Sequence, residues 1–206
     1  MISMRELMKE QRLLPIIQAD SINQGIAIAK AMSDGGIHLV EVVLRTEASL
    51  DTLKAIKTEL PNLTVGAGTI TSTQSLNQAL TAGADFIVTP AISTKLLGEL
   101  EQCKVPVLPG VANTADILLA TEFGYQELKL FPASLSGGAK FIHAVASVFP
   151  DCVFCPTGGV NQNNKSDYLA LENCFAVGGT WMVEADWVAN EQWEKITQAC
   201  RMANCA

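Results

Sequence analysis

Charged side chains inside apolar, β-branched segments are the first clue to chemistry, because an unpaired buried charge is costly enough that most chains avoid it. Three stand out. Glu41 and Arg45 lie in Val40-Glu41-Val42-Val43-Leu44-Arg45, and Lys129 lies in Leu128-Lys129-Leu130-Phe131-Pro132-Ala133. Side chains alternate along a strand, so Glu41, Val43 and Arg45 share one face and are expected to point into the interior, opposite Val40, Val42 and Leu44. The same parity groups Glu127, Lys129 and Phe131. Desolvation among Leu, Phe and Pro, with a guanidinium nearby, would leave enough of the lysine amine neutral to attack a carbonyl and form a Schiff base. Glu41 could then move the protons that carbinolamine formation, dehydration and carbon deprotonation require, and Arg45 could hold a carboxylate in bidentate fashion. A buried Glu41–Lys129 ion pair that only sets strand register accounts for the same residues without chemistry.

Glycines close three strand-like runs: Gly66-Ala67-Gly68-Thr69, Pro156-Thr157-Gly158-Gly159-Val160 and Val177-Gly178-Gly179-Thr180. The first is half of a dinucleotide fingerprint, without its third glycine or its acidic residue, which argues against a nicotinamide site. Gly158, Gly159, Gly179 and Thr180 fit a phosphate site, where backbone N–H groups approach an anion and a hydroxyl adds a donor. Tight turns that need small residues would look the same. Gly137-Gly138 is either a substrate loop or a turn. The pair Cys152-Val153-Phe154-Cys155 has no second pair at metal-ligand spacing, and His38 and His143 are far from it in sequence, so no metal and no cofactor are expected. The six cysteines are expected as free thiols. Trp181, Trp187 and Trp193 suit core packing or a subunit contact.

The elements that must position these groups recur along the chain. Apolar runs at Leu13–Ala19, Leu39–Arg45, Thr64–Ile70, Phe86–Ala91, Val105–Val111, Glu127–Ala133, Val153–Val160 and Phe175–Met182 make eight candidate strands. Their centres are spaced by roughly 20 to 27 residues, the length of one strand plus one helix. Helical spacing and caps mark Ile22–Met32, Ser72–Ala82 and Asn113–Phe123, with a first helix over Met1–Arg12 and a closing helix over Gln192–Asn204. Strand and helix in alternation predict an α/β fold, and the count favours a (β/α)8 TIM barrel over an open doubly wound sheet, with chemistry at the C-terminal strand ends. A single domain over residues 1–206 is expected.

Composition narrows the partners. With 206 residues, 49% hydrophobic and 17% charged, the chain can bury one sizeable core and is not disordered. A net charge of −7 argues against general nucleic-acid or anionic-membrane binding. No stretch approaches the ~20 apolar residues of a membrane span. A cytoplasmic location is expected.

Taken together, Glu41-Val42-Val43-Leu44-Arg45-Thr46, Gly66-Ala67-Gly68-Thr69, Lys129-Leu130-Phe131-Pro132-Ala133 and Cys155-Pro156-Thr157-Gly158-Gly159-Val160 resemble, in order and spacing, the bacterial 2-keto-3-deoxy-6-phosphogluconate (KDPG) aldolases, which also act on 4-hydroxy-2-oxoglutarate (KHG). The resemblance implies a metal-free class I aldolase on an eight-fold barrel, acting on a small keto-acid phosphate and assembled as a homotrimer. It assigns Lys129 as the Schiff-base lysine and Glu41 as the acid/base. Arg45, Thr69 and Pro90 match positions around the pyruvate-derived carboxylate and keto group, Phe131 the aromatic residue on the reacting centre, and Gly158, Gly159 and Thr180 the phosphate site. Three positions depart from the family pattern: Ser134 in place of an acidic residue, Thr180 in place of serine and Ala91 in place of glycine. Two further readings are an epimerase or isomerase on the same barrel, with Glu41 as base, and a non-catalytic phosphometabolite-binding protein.

Overall fold

The computed structural model describes residues 2–204. Met1, in the first expected helix, and Cys205 lie outside the described residues. After α1 (Met4–Met8) come β1 (Leu13–Ile17), α2 (Ile22–Asp34), β2 (Leu39–Val43), α3 (Ser49–Glu59), β3 (Thr64–Gly68), α4 (Thr73–Thr81), β4 (Ile87–Val88) and α5 (Thr94–Leu100). The alternation continues through β5 (Val107–Leu108), β6 (Gly110–Val111), α6 (Thr114–Glu122), β7 (Glu127–Leu130), α7 (Gly138–Val145), β8 (Val153–Phe154) and α8 (Lys165–Leu169). It ends with β9 (Val177–Gly179), α9 (Ala185–Ala189) and α10 (Trp193–Asn204). Helices start where the chain offers a short polar oxygen: Ser21, Ser72, Ser93 and Asn113 accept from the N–H of Gln24, Ser75, Leu96 and Asp116. Each such cap contributes about 1 kcal/mol.

All strand pairs are parallel. The sheet is curled into a half-barrel, assigned as a six-stranded piece in the order β5-β4-β3-β2-β1-β9 and a three-stranded piece, β6-β7-β8. The eight-strand barrel expected from the sequence is thus met in its coarser form. The expected strand Val105–Val111 is interrupted at Pro109, which has no N–H to give to a ladder. The expected strands over Phe86–Ala91 and Val153–Val160 shorten to β4 and β8, with Pro90 and Pro156 following closely, and that over Phe175–Met182 shortens to β9, which ends on Gly178-Gly179. Bridges Phe154↔Cys174 and Thr157↔Gly178, with Gly178 N–H donating to Pro156 O at 2.8 Å, join the run around β8 to that around β9.

The sheet separates two apolar layers. Val40, Val42, Val65, Ala67, Leu128 and Leu130 pack with the helices, whereas Leu14, Leu39, Phe86, Val88, Leu108, Cys155 and Ala176 cluster on the inner face. Met4 and Met8 of α1, each 1% exposed, complete the inner cluster at the N-terminal strand ends. The Met4 N–H donates to Glu127 Oε2 at 2.7 Å, and Met8 O lies 3.2 Å from His38 Nε2.

Gln11, 2% exposed, ties the same end together. Its Nε2 donates to Leu13 O and Leu39 O at 2.6 and 2.8 Å, and its Oε1 accepts from His38 and Leu39 N–H at 2.9 and 3.2 Å. Gln11→Leu is expected to destabilise the protein by about 2–4 kcal/mol, because buried backbone groups lose their partners. A urea transition at the wild-type midpoint would show that water satisfies those groups equally well.

Candidate active site

Glu41 lies at the centre of β2 and Lys129 one residue before the end of β7, both on the inner face. They are 0% and 4% exposed, and Lys129 Nζ donates to Glu41 Oε1 at 3.3 Å. The other oxygen, Oε2, is buried without a hydrogen-bond partner among the described residues. An amine next to a carboxylate with a free lone pair can both attack a carbonyl and exchange protons with what forms there.

Room for that carboxylate comes from a missing side chain. A Cβ on Gly68 would overlap Glu41 Oε1, and one on Gly66 would overlap the Phe86 ring. The glycines of Gly66-Ala67-Gly68 therefore serve packing against neighbouring strands. Gly68→Ala is expected to displace the Glu41 carboxylate and to lower kcat by about 10²-fold with an unchanged circular dichroism spectrum. Wild-type kcat in this variant would mean that the carboxylate tolerates the shift.

Arg45 departs from the strand parity. β2 ends at Val43, so Arg45 stands at the exposed rim beyond it instead of inside with Glu41. There its Nε donates to Thr69 Oγ1 at 3.3 Å. Thr69 has φ 63°, a left-handed backbone that is costly for a β-branched residue, and so the hydroxyl is held at the rim by a strained turn. Phe131 is half-buried, with its ring centroid 5.4 Å from Lys129 Nζ. Pro90, also half-buried, follows β4, and exposed Ala91 comes after it.

The loop after β8 leans on the loop after β7. Ala133 N–H donates to Thr157 O at 2.8 Å and Ser134 N–H to Gly158 O at 3.0 Å. Gly158 and Gly159 have φ 94° and 81°, which only glycine adopts readily, and a Cβ on Gly159 would strike the Ser134 hydroxyl. Thr180 is exposed just past β9, whereas Gly179 is buried in β9 with the Trp181 ring packed on its Cα.

Two interior residues carried no functional role in the sequence reading. Cys155 and Thr157 continue β8, their N–H groups donating to Leu128 O and Leu130 O at 2.8 and 2.9 Å. Burial, and after it Cys174, pushes the Cys155 thiol far above its usual range, so it stays uncharged near Lys129 and Glu41. Thr157 Oγ1 is buried without a partner among the described residues, in space that a Cβ on Gly178 would fill. Their shared parity on the strand beside Lys129 is the signal that could have found them. Cys103, Cys152, Cys155, Cys174 and Cys200 are free and buried. A cavity of about 660 Å³ lies at the opposite end, beside α1, with Arg5, Glu127 and Glu172 among its walls; its chemistry is unconnected with the lysine.

A half-barrel with a buried amine and carboxylate on its inner face is the equipment of an enzyme that works on carbonyl compounds. Residues 4–199 match the family described as Aldolase: KDPG and KHG aldolase, and the chain belongs to that family, one of aldehyde-lyases. It is 41% identical over 197 residues to the 2-dehydro-3-deoxy-phosphogluconate aldolase of Pseudomonas aeruginosa, covering 96% of this chain and 90% of that one. It is 37% identical over 191 residues to the KHG/KDPG aldolase of Escherichia coli K12, covering 93% and 90%. Among solved structures, KDPG aldolase from Legionella pneumophila, with pyruvate captured at low pH as a covalent carbinolamine intermediate, superposes with a TM-score of 0.94 at 32% identity, covering 97% of each chain. Among the described residues no helix is long and apolar enough to cross a membrane.

Proposed function

We propose that this chain is a lysine Schiff-base aldolase that cleaves 2-keto-3-deoxy-6-phosphogluconate to pyruvate and glyceraldehyde 3-phosphate, and 4-hydroxy-2-oxoglutarate to pyruvate and glyoxylate. The observation that carries this is the buried contact of Lys129 with Glu41, and the named activities of the relatives support it. The neutral amine of Lys129 adds to the C2 ketone, and loss of water from the carbinolamine leaves an iminium. Glu41 Oε2 hands over the protons for these steps. The Glu41 carboxylate takes the C4 hydroxyl proton as the C3–C4 bond breaks, the electron pair of that bond passing into the iminium to give an enamine as the aldehyde leaves. Protonation at C3 and hydrolysis then release pyruvate and the amine. Arg45, Thr69 and Pro90 hold the carboxylate and keto end, Phe131 packs on the reacting carbon, and Gly158, Gly159, Gly179 and Thr180 hold the phosphate.

The same reading includes one domain over 1–206 whose curled sheet closes as a (β/α)8 barrel. The bridges from β8 to β9, and the continuation of β5 into β6 across Pro109, support closure. A cytoplasmic homotrimer rests on the family resemblance, and sedimentation at the mass of three chains is the expected result.

The deciding experiment incubates the protein with pyruvate and borohydride and maps the product by peptide mass spectrometry. A reduced pyruvyl group on Lys129 is expected. A folded protein that gives no adduct would move the weight to an epimerase or a binding protein.

A further inference from the structure

Arg45 stands exposed beyond the end of its strand, and the groups that fix it there lie on both sides of it. In front, its Nε donates to Thr69 Oγ1 at 3.3 Å, and its two terminal nitrogens have no hydrogen-bond partner among the described residues. Behind, the next residue is locked to the first residue of α3. The Ser49 N–H donates to Thr46 O at 3.2 Å, and the Thr46 N–H donates to Ser49 Oγ at 3.1 Å. The two hydroxyl oxygens lie 2.9 Å apart, and Thr46 Oγ1 donates to Ala19 O, in the loop after β1, at 2.7 Å. A hydroxyl has one proton to give. The carbonyl of Ala19 takes that of Thr46, so the Ser49 hydroxyl must give its own to Thr46 Oγ1, and every bond in the set has a fixed direction. Ser49 and Ala19 are 2% and 4% exposed, which leaves water little room to compete. A Cβ on Gly25 of α2 would overlap Thr52 of α3 and crowd Ala19, so the two helices and the β1 loop meet closely beneath this latch.

We infer that Thr46 and Ser49 are positioning residues: their hydroxyls hold the backbone that follows Arg45, so that the two terminal nitrogens of the guanidinium face the carboxylate of the keto acid together. The inference rests on the carboxylate role proposed for Arg45 and deepens it. A bidentate pair needs two bonds in one plane, and a small shift of the backbone behind the guanidinium weakens both. The carboxylate is held before and during the reaction alike, so a slack latch raises KM and spares kcat.

The test compares how fast borohydride traps pyruvate and acetone, ketones with and without a carboxylate, on Lys129, the site being established by peptide mapping. The proteins are wild type, Thr46→Val, Thr46→Ser, Ser49→Ala, Arg45→Leu and the double variant Arg45→Leu with Ser49→Ala, with KDPG cleavage measured alongside. Thr46→Val and Ser49→Ala are each expected to lower the pyruvate-to-acetone ratio by roughly tenfold and to raise KM by a similar factor, with kcat within about threefold of wild type. Thr46→Ser keeps the hydroxyl and should keep the ratio. Without the guanidinium, Ser49→Ala should change the ratio no further, because residues that act through one contact are not additive. A merely structural bond would slow both ketones equally, so an unchanged ratio in folded Thr46→Val and Ser49→Ala overturns the inference. An effect of Ser49→Ala that persists in the Arg45→Leu background overturns it as well. No pyruvate adduct in wild type overturns the aldolase reading and the inference with it.

Discussion

Lys129→Met is expected to lower the rate of C–C cleavage by about 10⁴-fold or more, because the covalent route disappears with the amine. The substitution is suited to its purpose. Methionine fills most of the lysine volume and places a thioether in the same buried position on the inner face. Its cost to stability is the partner taken from Glu41, on the order of 3 kcal/mol for a broken buried pair, which a circular dichroism melt would register without loss of the fold. Two readouts belong together, turnover and borohydride trapping. Loss of both leaves Lys129 as the nucleophile, whereas undiminished turnover would sink the mechanism.

The second large effect is expected at Glu41. Glu41→Gln keeps the size of the side chain and an oxygen facing Lys129 Nζ, yet removes the group that shuttles protons. The rate should fall by about 10² to 10⁴, the contribution of a general acid/base. Because the amine remains, the pyruvate adduct should still form on long incubation, more slowly than in wild type. This separates the two residues experimentally: one variant loses the adduct, the other loses the speed of reaching it. A Glu41→Gln protein with wild-type kcat would take Glu41 out of the reaction and leave it as the ion-pair partner that fixes register.

What could be read from the sequence follows from the range of the physics involved. Charges among apolar residues are visible in a linear string, which is why Glu41 and Lys129 stood out, and helix caps such as Ser72 are local. Strand ends were less legible. β4 and β8 are each only two residues long, and nothing in Phe86–Ala91 or Val153–Val160 shows where a neighbour stops offering partners. Arg45 was misplaced for the same reason, since parity holds only as far as pairing does. Gly68, Gly178 and Thr157 were silent because their meaning is relational. Gly68 is small for the sake of Glu41 on the next strand, and Gly178 for the sake of Thr157. Those complementarities depend on register, and register is a property of two strands at once.

The inner cluster at the N-terminal strand ends, sealed by Met4 and Met8 of α1, has a kinetic meaning. With that floor closed among the described residues, the way in for reactants and out for products is the opposite end, past Arg45, Thr69 and Thr180. Lys129 sits deep, and Gly159 and Thr180, two of the residues proposed for the phosphate, are exposed near the door, so in the proposed reaction the two halves of a cleaved substrate stand one behind the other. The aldehyde half, unattached and nearer the opening, leaves first. Pyruvate, still bonded to the amine, must wait for water to come in by the route the aldehyde has vacated. Traffic in such a dead-end corridor is ordered by depth, and α1, far from every reacting atom, is what makes the corridor a dead end.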